Sequence, residues 1–174
     1  SRCVISNQRP SSVVERKNKN EKTKKDFIFF DEEGVCSACR WQDKKDNEID
    51  WAQRDKDLMD LCNKHRSTNG NYDCIVPGSG GKDSAFAAHM LKHKYGMNPL
   101  TVTWAPHEYT EIGWQNLKSF IASGFTNIMG QQDGKIHRKL SKLAFELKGD
   151  AWEPFTYGQK AWAFHMASRF NVKL

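Results

Sequence analysis

Apolar and polar positions switch between two periods along the second half of the chain. Short apolar runs at residues 72–76, 100–104 and 127–129 read as strands. Between them apolar residues recur at helical spacing. Phe86, Ala87, Met90 and Leu91 mark the inner face of a helix over 84–95, closed by Gly96. Ile112, Leu117, Phe120 and Ile121 mark one over 111–123, closed by Gly124. Ile136, Leu140, Leu143, Ala144 and Leu147 mark a third, stopped by Gly149, and a last helix is expected over 159–170. Strands alternating with helices predict an α/β fold, a Rossmann-like parallel sheet with helices on both faces. Ligands of such sheets sit beyond the carboxyl ends of the strands.

The first seventy residues follow another plan. Residues 1–10 read as a short strand or ribbon arm, 11–26 as a lysine-rich polar loop and 27–30 as a strand. Residues 31–34 form a turn. Asp50 is placed as the N-cap of a helix over 51–65 that buries Trp51, Leu58, Leu61 and Cys62. The polar cluster at 67–71 closes it. Three parts result: a small N-terminal segment over 1–49, a connecting helix over 50–70 and the α/β domain over 71–174.

The five cysteines refine the first part. Their number is odd, and Cys36 and Cys39 form a C-x-x-C, which favours metal binding over a disulfide framework. Two cysteines at that spacing turn their sulfurs toward one tetrahedral ion. With Cys3 they supply three zinc ligands and make the segment zinc-ribbon-like. The fourth ligand is expected outside the chain, with Cys62, His65 and Cys74 as alternatives within it; an iron–sulfur site or no metal at all are the rival readings.

Composition narrows the class. No apolar run approaches the ~20 residues that span a bilayer, and residues 1–30 lack the apolar core of a signal peptide. A cytoplasmic protein is therefore expected. The net charge of +6 gives a mild anion preference. Nucleic acid is a weaker possibility, because no aromatic interleaves the lysines of 11–26 to stack a base. The chain starts at Ser1 and stops in a strand-like Val172-Lys173-Leu174, so it is expected to be a fragment.

The strongest chemical signal is Pro77-Gly-Ser-Gly-Gly-Lys-Asp-Ser84, which joins the first α/β strand to its helix. Strand, glycine turn and helix start present backbone N–H groups to an anion. Asp83 after Lys82 separates it from the Walker A loop. Ser79 to Ser84 resembles the PP-loop of the ATP pyrophosphatase (adenine nucleotide α-hydrolase, HUP-type) superfamily. Together with Phe30-Asp-Glu-Glu-Gly-Val-Cys-Ser-Ala-Cys39, Ile49-Asp-Trp51 and Thr101-Val-Thr-Trp-Ala-Pro106, the chain resembles the N-acetyl sugar amidotransferases of surface-polysaccharide biosynthesis. Two features depart from that family: the loop at 11–26 is longer, and an acidic segment is expected beyond Leu174.

The resemblance implies an enzyme that adenylates the acetamido oxygen of an N-acetyl sugar and substitutes ammonia, giving an acetamidino group, AMP and pyrophosphate. It implies ATP and Mg²⁺ as cofactors beside structural Zn²⁺. Ser79, Gly80, Gly81 and Ser84 would cradle the pyrophosphate, Lys82 would neutralise charge and Asp83 would meet Mg²⁺. Thr103 and Trp104 would flank the nucleotide. His107, Glu108, Tyr157 and Gln159 are the substrate-side candidates. The chain carries no glutaminase motif, so a separate glutaminase-type ammonia donor with a synthase-like subunit is implied, acting on a nucleotide-linked sugar. The rivals are a tRNA-modifying PP-loop enzyme (thiolase or lysidine-type ligase) and a truncated nucleotide-binding module without activity.

Overall fold

The computed structural model describes residues 28–173. The arm at 1–10, the loop at 11–26 and Cys3 lie outside the described residues. The chain divides into two compact units with the boundary after Arg54.

In the first unit, Phe30 and Cys36 form an isolated antiparallel bridge around a tight turn. Asp31 holds that turn. Its Oδ1 accepts from the Val35 N–H at 2.8 Å, and its Oδ2 from Arg40 Nη1 at 2.7 Å. These donors keep the Asp31 carboxyl below the usual carboxylate range. Helix α1 (Ser37–Asn47) follows at once. The C-x-x-C of the expected zinc-ribbon-like segment is the entrance to a helix, and the described part of this unit contains no strand ladder. Helix α2 (Trp51–Lys64) starts in this unit at its expected cap, where Asp50 Oδ1 accepts from the Gln53 N–H at 2.9 Å, and its residues from Asp55 on belong to the second unit. Of its four expected core residues only Cys62 is buried; Trp51, Leu58 and Leu61 are exposed. The Trp51 indole N–H instead donates to the Lys45 carbonyl.

The second unit carries the parallel sheet. Strands β1 (Cys74–Pro77), β2 (Pro99–Trp104) and β3 (Asn127–Gly130) lie in the order β1-β2-β3. Helix α3 (Lys82–His89) and a π-helical turn (Met90–Lys94) link β1 to β2, and α4 (Glu111–Ala122) links β2 to β3. Helices α5 (Gly134–Lys148) and α6 (Glu153–Arg169) follow. The protein is α/β, a small parallel sheet with helices. Among the described residues no helix is long and apolar enough to cross a membrane.

The period of two along each strand assigns the two sheet faces. Cys74 and Val76 pack with Cys62, Ala88, Leu117 and Phe120, a core built by α2, α3 and α4. Leu100 and Val102 pack with Met166, and Ile75, Ile128 and Trp162 lean on them, so α6 covers the other face. The central strand β2 is buried on both sides through Val102 and Thr103. Its two threonines would be a penalty there if unbonded. Thr101 Oγ1 donates to the Thr126 carbonyl and Thr103 Oγ1 to the Gly78 carbonyl, while Asn127 Nδ2 reaches both hydroxyls.

Several helix faces differ from their expected assignment. In α3, Ala88 is buried and Ala85 half-buried, whereas Phe86 and Ala87 are exposed. Met90 and Leu91 pack against the core as expected, Ala85 and Ala88 complete the inner face, and the expected helix ends in a π turn instead of a regular one. Ile112 and Ile121 of α4 are exposed, leaving Leu117 and Phe120 as its anchors. In α5 the stripe Ile136, Leu140, Leu143 and Leu147 is exposed, and the covered edge is His137, Ser141 and Ala144. Helix α6 begins at Glu153, six positions before its expected start, with Pro154 in its first turn. Gly96, Gly124 and Gly149 all take positive φ at the stops expected for them.

Candidate functional site

The glycine turn leaves β1 at the carboxyl edge of the sheet. Two bonds from β2 fix where it begins. The Gly78 N–H donates to the Val102 carbonyl at 2.9 Å, and Thr103 Oγ1 donates to the Gly78 carbonyl at 2.6 Å. Gly80 then takes φ +83°, and a Cβ there would stand 2.7 Å from the Leu117 backbone nitrogen of α4. Both the dihedral and the contact demand glycine. Gly81 is the N-cap of α3 and offers no side chain to its first turn. The first N–H groups of a helix have no intrahelical partner, so those of Lys82, Asp83 and Ser84 are available to an anion. Ser84 Oγ turns back to the Gly81 carbonyl at 3.1 Å.

These groups open on a cavity of 820 Å³, within the range of small-molecule sites. Ser79, Gly81, Lys82, Asp83 and Ser84 line one side; Trp104, Gln159, Lys160, Trp162 and Phe164 line the other. Of the residues expected around a nucleotide, the structure gathers all but two in this cavity. Gly80 shapes the turn from behind. Thr103 is buried under the turn and supports it through Gly78. Lys82 Nζ and Asp83 Oδ1 pair at 2.9 Å on the open side, both well exposed.

Trp104 lines the cavity 5.6 Å from the Trp162 ring. Two glycines make room for it: a Cβ on Gly158 would meet its Nε1 at 2.4 Å, and one on Gly130 its ring at 2.9 Å. The buried Trp104 Nε1 has no hydrogen-bond partner. Lys160, Trp162 and Phe164 escaped the sequence reading because they sit in the middle of a helix, where helical spacing alone marks packing.

The substrate-side candidates divide. Gln159 lines the cavity with the turn. His107 lies in a neighbouring cleft, its ring 4.4 Å from His137 and 5.3 Å from Trp152. Glu108 is exposed on the loop beyond β2. Tyr157 donates to Glu153 Oε1 at 2.9 Å, and Glu153 also pairs with Lys148 at 2.7 Å, so Tyr157 belongs to the start of α6.

Cys36 is the N-cap of α1, its sulfur accepting from the Cys39 N–H at 3.3 Å, and Cys39 is the third helical residue. Cys36 and Cys39 are two thiols within one turn of a helix start, the type of donor that zinc takes. Among the described residues no group of three or more His, Cys, Asp or Glu side chains is arranged to hold a metal. Cys62 and Cys74 lie in the hydrophobic core instead. Burial pushes the Cys74 thiol up to about 12, helped by Asp73 and Cys62, and burial also raises Cys62. Both stay protonated at neutral pH and are poor nucleophiles or ligands.

No protein-family model matches the chain. Over 81 residues it is 33% identical to an uncharacterized protein of Methanocaldococcus jannaschii, a stretch that makes up 47% of this chain and 28% of that protein. The chain thus matches under a third of the length of that relative.

Proposed function

We propose that the protein is an ATP-dependent amidotransferase of the PP-loop type. On this reading it adenylates the acetamido oxygen of an N-acetyl sugar and replaces it with ammonia. One observation carries it: the uncapped start of α3, Ser79 of the turn and Trp104 line a single cavity large enough for a nucleotide.

An amide carbon is a weak electrophile because its oxygen is a poor leaving group. In the proposed reaction the amide oxygen attacks the α-phosphorus of ATP and the bond to pyrophosphate breaks. Ammonia then attacks the imidate carbon, and AMP departs with the former amide oxygen. The protein's part is positioning and charge stabilisation. The N–H groups at Gly81 to Ser84, with Ser79, would bind the pyrophosphate, and Lys82 would offset its charge. Asp83 would hold Mg²⁺, which supplies charge neutralisation at the phosphates. Trp104 would stand against the nucleotide and Thr103 would hold the turn. Gln159, His107 and Glu108 remain on the acceptor side, and Tyr157 would act through Glu153. Cys36 and Cys39 would contribute to a zinc-ribbon-like site with Cys3. Ammonia would come from a glutaminase-type partner and a synthase-like subunit, in the cytoplasm.

The test is to incubate the chain with ATP, Mg²⁺, ammonium and a nucleotide-linked N-acetyl sugar while following AMP and pyrophosphate. Both should form only when the sugar is present. Asp83→Asn should lower kcat by about a hundredfold, the order lost when a charge stabiliser of the transition state is removed. ATP binding without pyrophosphate release would sink the reading in favour of a nucleotide-binding module. Tight tRNA binding that weakens steeply with salt would instead favour the tRNA-modifying alternative.

A further inference from the structure

Apart from the cavity at the turn, the described residues hold a cleft of 440 Å³. Pro106 and His107 after β2, Gln132 after β3, His137 and Arg138 of α5, and Trp152 before α6 bound it. Pro106 follows Trp104 by two residues, so the cleft and the 820 Å³ cavity both adjoin the carboxyl end of β2.

Two residues that line this cleft each carry a polar atom buried without a partner among the described residues: Gln132 Oε1 and His137 Nε2. The orientation of the Gln132 amide follows from its other end. Its Nε2 donates to the Ala105 carbonyl at 3.0 Å, so Oε1 is the atom left without a donor. His137 is 94% buried, with Nδ1 3.4 Å from Ser141 Oγ. Buried polar groups are nearly always bonded, and exceptions call for an absent partner. The partner at Gln132 must be an N–H or O–H donor. The half-exposed Trp152 ring, beside His107, gives the cleft one aromatic face. Arg138 stands exposed at the rim with no ion pair among the described residues.

We infer that this cleft is the acceptor subsite for an acetamido sugar, with Gln132 Oε1 receiving the acetamido N–H and His137 Nε2 a ring hydroxyl. The inference rests on the amidotransferase reading for its choice of sugar. An acceptor on the N–H leaves the carbonyl oxygen of the same amide unobstructed and raises its electron density, which is what attack on phosphorus requires. Trp152 offers an apolar face to the sugar ring. Burial and the neighbouring His107 lower the His137 pKa, so its ring is neutral near pH 7 and keeps one nitrogen as donor and one as acceptor.

The experiment is a titration of the whole chain with N-acetylglucosamine and, separately, with glucose, in the absence of ATP, read by NMR. The acetamido sugar should bind about tenfold more tightly, as expected when a buried acceptor gains its donor. Gln132→Met should abolish that preference and leave glucose binding unchanged. If the variant does not fold, the wild-type Gln132 side-chain amide resonance serves: it should shift with N-acetylglucosamine and stay with glucose. Equal binding of the two sugars, or no shift with either because water fills the cleft, overturns the inference. Sugar-dependent AMP formation that Gln132→Met leaves intact also overturns it. A retained sugar preference without any AMP formation overturns the amidotransferase reading alone and leaves the subsite standing.

Discussion

Single residues set the turn and the cleft, and two of them allow a sign to be worked out. Gly80→Ala would place a methyl group against the α4 backbone and force a positive φ on an L-residue. The dihedral costs roughly 1–2 kcal/mol and overpacking roughly 1–3 kcal/mol. The backbone of Leu117 cannot rotate aside as a side chain would. The variant is expected to lose at least about 2 kcal/mol in denaturant unfolding and to lose ATP binding; unchanged stability would show that the turn does not lie on α4. His137 has a depressed pKa, caused first by burial and then by His107. The unfolded chain therefore binds the extra proton more readily than the folded one. Stability is full above the ordinary histidine range and falls as pH drops through about 6.5. One proton limits the slope to about 1.4 kcal/mol per pH unit. Melting curves from pH 7.5 to 5.5 should show the loss, and His137→Gln should flatten it.

At the scale of elements, the order of strands and helices in the second unit was legible because both kept their periods. The apolar runs at β1, β2 and β3 have no competing helical reading at their length, and Gly96, Gly124 and Gly149 punctuate them. The glycine turn was legible for the same reason, being bounded by a strand and a helix. Other features were hidden. Cys-x-x-Cys is as compatible with a helix start as with a knuckle, and α1 follows the former because Cys36 caps it. Helix α6 shows no clear amphipathic stripe and meets both Trp104 and the core, so its early start and its cavity residues left no pattern to read. Gln132 and His137 were unreadable as a pair, since only the fold sets β3's exit against Ala105, whose carbonyl turns the Gln132 amide. Gly158 illustrates the point. In an exposed helix Gly→Ala stabilises by about 1 kcal/mol. Here the added Cβ would lie 2.4 Å from the Trp104 indole. Overpacking of roughly 1–3 kcal/mol outweighs the propensity gain, so Gly158→Ala should lower the Tm and shift the Trp104 fluorescence. A higher Tm would mean that α6 does not rest on this ring.

For the whole molecule, what matters is which apolar surface is covered. Helical spacing in α5 places Ile136, Leu140, Leu143 and Leu147 on one stripe, the usual signature of a core-facing helix. In the structure that stripe is open: Leu143 is 50% exposed and Leu147 73%, while the core of this unit is supplied by Leu100, Val102, Leu117 and Phe120. Periodicity measures the consistency of a face, not what lies against it, so the two readings separate only by substitution. A buried leucine changed to lysine overpacks the site and buries a charge, at several kcal/mol. An exposed one changes stability by about 0.5 kcal/mol or less. For a domain of this size 1 kcal/mol moves Tm by roughly 2–4 °C. Leu143→Lys should therefore shift Tm by less than about 2 °C, whereas Leu117→Lys, with no exposed surface at the native residue, should abolish the cooperative transition. A fall of about 10 °C or more for Leu143→Lys would correspond to several kcal/mol. That result would assign the α5 stripe to a covered interface in solution and add it to the surfaces that hold the molecule together.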